Sequence, residues 1–149
     1  MKAIFLDIDG VMNSTKSSHR LYLQGYGYFN GIPVPETVGP LNKIIAMTGA
    51  QIVISSSWRK KTNIFGLEYL LFLTGVRGEI IGVTPTIHNV ERGVEIQEWL
   101  DTDGKDATHF VILDDSTDVA HLTEHHVKVD DNVGLTFANA EKAIEILTK

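Results

Sequence analysis

Short apolar runs in this sequence stop abruptly on polar or acidic residues, and helix-patterned segments separate them. The first is Lys2-Ala3-Ile4-Phe5-Leu6-Asp7, closed by Asp9 and Gly10. The second is Gln51-Ile52-Val53-Ile54, ending at Ser55-Ser56-Ser57. Glu79-Ile80-Ile81 closes on Gly82 and Pro85, and His109-Phe110-Val111-Ile112-Leu113 stops at Asp114-Asp115. Unbroken apolar runs of this length suit strands covered on both faces, as in a parallel sheet.

Between the runs, Val38, Leu41, Ile44, Ile45 and Met47 recur at helical spacing from Pro35 and Glu36 until Gly49. Residues 64–74 read as a helix ending at Gly75. Glu91 to Leu100 is a further helix, with Val94, Ile96, Trp99 and Leu100 on one side. A helix near Asp118–His125, a strand Val127–Val129 and a last helix from Phe137 to Leu147, capped by Thr136, complete the reading. Residues 12–33 have no period and are expected to form a long loop or flap. Strand and helix thus alternate, which predicts an α/β fold: a doubly wound parallel sheet of five main strands in a single domain, residues 1–149.

In such sheets ligands bind beyond the carboxyl ends of the strands. The first and fourth strands both deliver carboxylate pairs there, Asp7 with Asp9 and Asp114 with Asp115. Uncompensated, these would repel and raise one another's pKa values. A divalent cation relieves the repulsion, and hard oxygen ligands select magnesium over zinc or copper. Either pair alone is ordinary turn or capping chemistry. Both together, each directly after an apolar strand and joined by Ser55 at a third strand end, point to a site.

Composition narrows the chemistry. The chain has no cysteine, which removes thiol nucleophiles, disulfides and cysteine-ligated metals. No apolar run is long enough to span a bilayer, and no signal peptide is evident, so a soluble cytoplasmic protein with no membrane partner is expected. The formal charge of −6 is unevenly spread. Residues 1–61 carry seven basic and three acidic side chains, and the remainder six basic and sixteen acidic. The overall charge argues against nonspecific coating of nucleic acid, but not against holding one phosphorylated end.

The segments Ile4-Phe5-Leu6-Asp7-Ile8-Asp9-Gly10-Val11, Ile52-Val53-Ile54-Ser55 and Phe110-Val111-Ile112-Leu113-Asp114-Asp115 resemble the signatures of the haloacid dehalogenase-like (HAD) phosphohydrolase superfamily. The resemblance covers essentially the whole chain. More narrowly, Ser55-Ser56-Ser57-Trp58-Arg59, Gly82-Val83-Thr84-Pro85 and Gly134-Leu135-Thr136 look like the HAD domain of predicted RNA repair proteins.

The resemblance implies a Rossmannoid core and a magnesium-dependent phosphoric monoester hydrolase. Asp7 would attack phosphorus and form an aspartyl-phosphate. Asp9 would serve as general acid and base, and its backbone carbonyl would join Asp7, Asp114 and Asp115 around the metal. Gly10 allows the turn after the first strand, beside the phosphate. Ser55 and Ser56 would bind the phosphate, and Arg92 would neutralise its charge, with Lys105 as the alternative cation. Asp118 either joins the acidic group or serves a helix start. Arg59, Lys60 and Lys61 either grip substrate or form a solvated cationic turn, and Trp58 is core or a stacking platform. His125 and His126 are expected to be surface or cap residues.

Relatives usually carry a cap domain, whereas here the slot after the first strand holds only about 20 residues, implying a minimal or absent cap. Lys16, His19 and Arg20 lie there among Tyr22, Tyr26, Tyr28 and Phe29, a mixture that suits either phosphate tracking with base stacking or packing onto the core. The expected substrate is therefore a nucleotide or an RNA or DNA end, on a monomer or small homo-oligomer. A phosphoprotein, a small metabolite, or a non-catalytic role as a binding subunit of an RNA repair complex are the alternatives. A phosphate-accepting receiver domain fits less well, because the late strand ends Val129-Asp130-Asp131 where a lysine is needed.

Overall fold

The computed structural model describes residues 1–26 and 32–149. Tyr28 and Phe29 lie outside them. The strands β1 (Lys2–Leu6), β2 (Gln51–Ile54), β3 (Ile80–Val83), β4 (His109–Asp114) and β5 (His126–Lys128) form one sheet in the order β3-β2-β1-β4-β5. All four pairings are parallel. The helices are α1 (Thr15–Leu23), α2 (Pro35–Thr48), α3 (Ile64–Leu73), α4 (Arg92–Thr102) and α5 (Phe137–Thr148).

Alternation along each strand sends successive side chains to opposite faces. Ile4, Leu6, Ile52, Ile54, Val111 and Leu113 pack with Leu41 and Ile44 of α2, Leu67 and Leu71 of α3, and Ala140, Ala143 and Leu147 of α5. Ala3, Phe5, Val53 and Ile112 face the other way, onto Ile96 and Trp99 of α4, with Val119 and Leu122 beside them. Phe5 meets the Trp99 ring edge-on at 5.4 Å between centroids. The sheet is therefore covered on both faces, as its unbroken apolar runs require.

Two expectations need correction. Residues 15–23, read as part of a loop or flap, form α1. Its start is held by a reciprocal cap: Ser14 accepts from the Ser17 N–H, and Ser17 accepts from the Ser14 N–H. Only Ser17 of this helix is buried, so it has no apolar stripe for periodicity to detect. The helix expected near Asp118–His125 is only a single 3-10 turn, Thr123–His125. Ala120 sits at φ 53°, a left-handed conformation that ends any helix passing through it. A smaller difference concerns Val94, read on the same side of α4 as Ile96 and Trp99, which are buried whereas Val94 is 40% exposed. The cap expected at Thr136 is present.

Candidate active site

The sheet register builds the site. Leu6 is paired with Ile54 and with Leu113, and Ile54 with Val83. Each next residue continues the row, so Thr84, Ser55, Asp7 and Asp114 stand side by side on neighbouring strands. Main-chain bonds hold them there: Asp7 N–H to Leu113 O (3.0 Å), Ser55 N–H to Leu6 O (2.9 Å) and Thr84 N–H to Ile54 O (2.9 Å). Phe5, Val53 and Ile112 point toward α4, so alternation turns Asp7, Ser55 and Asp114 to that same side.

The first residue of α4 meets them. Arg92 Nη1 lies 2.6 Å from Asp114 Oδ2 and 3.2 Å from Asp7 Oδ2. Gly93 makes this approach possible: a Cβ there would stand 2.0 Å from the Val119 carbonyl oxygen. The Gly93 N–H donates to Asp118 O at 3.0 Å, and Asp118 Oδ2 accepts from the Arg92 N–H at 3.5 Å. Asp118 thus serves a helix start, that of α4, which precedes it in the chain. Lys105 follows α4 and precedes β4, which puts it at the amino edge of the sheet, away from the row. Of the two candidate cations, only Arg92 is at the carboxylates.

Asp7, Asp114 and Asp115 each offer an oxygen, and the three oxygens lie within 4.8 Å of one another. Burial pushes all three carboxyls above their usual pKa range; Arg92 opposes the rise at Asp7 and Asp114, while Asp114 adds to it at Asp115. Burial works against the Arg92 charge, but Asp7 and Asp114 outweigh it and raise its pKa. One guanidinium facing three carboxylates leaves a net negative centre. The donors are all hard oxygens, a set that fits a divalent cation of the magnesium type.

Asp9 stands apart. Its Oδ2 accepts from Trp58 Nε1 at 3.0 Å and its Oδ1 from Asn13 Nδ2 at 3.1 Å. Gly10, at φ 81°, carries the chain beneath Asp115, whose Oδ2 would lie 2.6 Å from a Cβ there. Trp58 is part of the packing around the main core, yet its indole N–H reaches the acidic site. The ring thus follows the core alternative, and the indole contact with Asp9 is additional to it.

The Ser55 and Thr84 hydroxyls are buried without a hydrogen-bond partner. Ser56 begins the turn Ser57–Lys60, its hydroxyl accepting from the Trp58 N–H. Arg59 does not face the carboxylates. Its guanidinium is turned inward onto Glu95, 2.6 Å away, and onto the Ser56 carbonyl. Lys60 and Lys61 are exposed. Beside the carboxylates a cleft of about 550 Å3 opens between Asp9, Gly10 and Asn13, the start of α1 (Ser14, Thr15, Ser18, His19), and Asp115 with Asp131. Arg20 pairs with Glu36 at 2.7 Å. His125 stacks on Phe110, and His126 bonds the Asp114 carbonyl, so neither belongs to the acidic cluster.

Thr84, Asn13 and Glu95 escaped the sequence reading as site residues. Thr84 repeats the strand-then-polar pattern of Ser55, and Glu95 lies three residues after Arg92 on the same helix. Asn13 carried no signal in the sequence.

A family model described as the HAD domain in Swiss Army Knife RNA repair proteins matches residues 3–140. The chain belongs to this family. No curated protein and no solved structure matches it. The match falls on the narrower of the two resemblances, and the all-parallel sheet is the Rossmannoid core such a HAD domain requires. Between β1 and β2 the described residues of this HAD domain add only α1 and α2. None of its described helices is long and apolar enough to cross a membrane.

Proposed function

We propose that this HAD domain is a magnesium-dependent phosphatase that hydrolyses a phosphomonoester through an aspartyl-phosphate on Asp7, and that its substrate is a phosphorylated RNA end. The observation that carries this reading is the row Ser55, Asp7, Asp114 under Arg92. It sets a carboxylate nucleophile between a cation and an unpartnered buried hydroxyl. The RNA end rests on the family's description and on the cleft opening directly beside the carboxylates.

An ionised carboxylate needs no base to activate it; its difficulty is repulsion from the phosphate. Asp7, Asp114, Asp115 and the Asp9 carbonyl would hold magnesium, which when bound supplies positive charge against both the carboxylates and the phosphoryl oxygens. An Asp7 oxygen attacks phosphorus, the bond to the leaving oxygen breaks, and Asp9 gives that oxygen its proton. Asp9 then takes a proton from water as the water attacks the acyl-phosphate, releasing inorganic phosphate and restoring Asp7. Trp58 and Asn13 hold Asp9 for this work, apart from the three-carboxylate cluster. Ser55 donates its hydroxyl to a phosphoryl oxygen, the Ser56 N–H assists, and Arg92 offsets charge in the transition state. Gly10 allows the phosphate to lie close to the turn.

The test is magnesium-dependent phosphate release from 5′- and 3′-phosphorylated oligoribonucleotides, oligodeoxyribonucleotides, mononucleotides, a phosphopeptide and an aryl phosphate. Faster turnover of the oligoribonucleotides supports the reading. Turnover of mononucleotides or phosphopeptide alone would reject the RNA end, and no turnover of any substrate would reject the phosphatase.

A further inference from the structure

We infer that Arg59 and Glu95 form a positioning clamp that sets the phosphate-binding turn and Arg92 in one fixed alignment. The inference rests on the phosphatase reading only for its catalytic consequence, since the clamp itself is a matter of geometry.

Arg59 Nη2 lies 2.6 Å from Glu95 Oε2, and the two side chains are only 5% and 9% exposed. The remaining bonds reach two segments, the turn after β2 and the loop after β3. Arg59 Nη1 donates to the Ser56 carbonyl at 2.8 Å, and Nη2 also points at the Pro85 carbonyl at 3.4 Å. Glu95 Oε1 accepts from the Ile87 N–H at 2.9 Å. The pair therefore joins the turn after β2, which carries Ser55 and Ser56, to the loop after β3. It joins both to the first turn of α4, which carries Arg92 three residues before Glu95. Neither side chain bonds to Asp7, Asp9, Asp114 or Asp115, so any effect on catalysis passes through the groups it holds.

A buried ion pair of this kind is a poor source of stability, because desolvation offsets its attraction and an apolar pair of similar volume does as well or better. What the pair supplies is direction. The planar guanidinium meets a carboxylate and two main-chain carbonyls in fixed geometry, which an apolar pair cannot do. Two of the segments it joins begin with Ser55 and Thr84, whose buried hydroxyls have no partners. A displacement of about 1 Å in a catalytic group can slow a reaction about 10²-fold.

Arg59→Met, Glu95→Gln, Arg59→Lys and the double variant Arg59→Met/Glu95→Leu test this. Lysine keeps a charge for Glu95 but cannot span Ser56 and Pro85 together, and the double variant restores an apolar contact should single changes unfold the chain. In every variant that remains folded, amide hydrogen exchange is expected to quicken at least about tenfold at both residues 55–60 and residues 84–92, with the sheet unchanged. On the best substrate, kcat is expected to fall about 10- to 100-fold with KM within about threefold. A double variant as stable as the wild type that keeps full kcat would overturn the clamp, as would exchange that quickens in only one of the two segments. Should the wild type hydrolyse nothing, the phosphatase reading fails, and hydrogen exchange alone then decides the clamp.

Discussion

Asp7→Asn removes one charge from the crowded centre and is expected to abolish activity while making the fold more stable. Asp7 and Asp114 oxygens lie within 4.8 Å, where two like charges repel by at least about 3 kcal/mol at an effective dielectric of about 20. Burying the ionised Asp7 adds a desolvation cost of several kcal/mol. Against these stands Arg92 at 3.2 Å. That contact returns about 5 kcal/mol on the same scale. Burial dominates and the carboxyl is pushed up, so the ionised form is a net cost to the folded chain. A neutral isostere should recover about 1–2 kcal/mol, or about 3–6 °C in Tm for a chain of this size. Thermal unfolding followed by circular dichroism at neutral pH, in a chelator and then in magnesium, measures this. The variant should melt above the wild type in chelator, gain less from magnesium, and release phosphate at least about 10³-fold more slowly. An Asp7→Asn protein that melts at or below the wild type in chelator would refute the charge-crowding reasoning, whatever its activity.

Raised carboxyl pKa values mean that the stability contributed by Asp7, Asp114 and Asp115 is present below the unfolded carboxylate range and lost as pH rises through their folded values. Magnesium needs the ionised forms, so its effect on Tm should grow across that same rise; a magnesium shift equal at about pH 4 and about pH 8 would contradict this. Ser55→Ala removes a buried hydroxyl that has no partner, so Tm should hold or rise by a few degrees while phosphate release slows about 10²-fold. A clear loss of Tm would show that the hydroxyl is satisfied in solution. Gly93→Ala places a methyl 2.0 Å from the Val119 carbonyl oxygen and must displace the start of α4. It should lower the unfolding free energy in urea by about 3 kcal/mol or more, and an unchanged midpoint would contradict the packing.

The sequence by itself determined the strands and most helices, because apolar runs and helical spacing are local patterns that burial on two faces or one imposes directly. It also determined the acidic strand ends, since a run that stops at Asp7 or Asp114 must deliver that residue to the carboxyl edge. It did not determine α1, whose start is a Ser14–Ser17 cap with no apolar stripe, nor the left-handed Ala120 that ends the helical pattern after Asp118. Only the tertiary structure decided which residues meet. Parallel register aligned Thr84, Ser55, Asp7 and Asp114 in one row, and connectivity put Arg92 at that edge and Lys105 at the other. Packing turned Arg59 inward to Glu95 and gave Asp9 to Trp58, 49 residues away. A charge in a sequence has a position but no direction; its direction comes from the partner that burial provides.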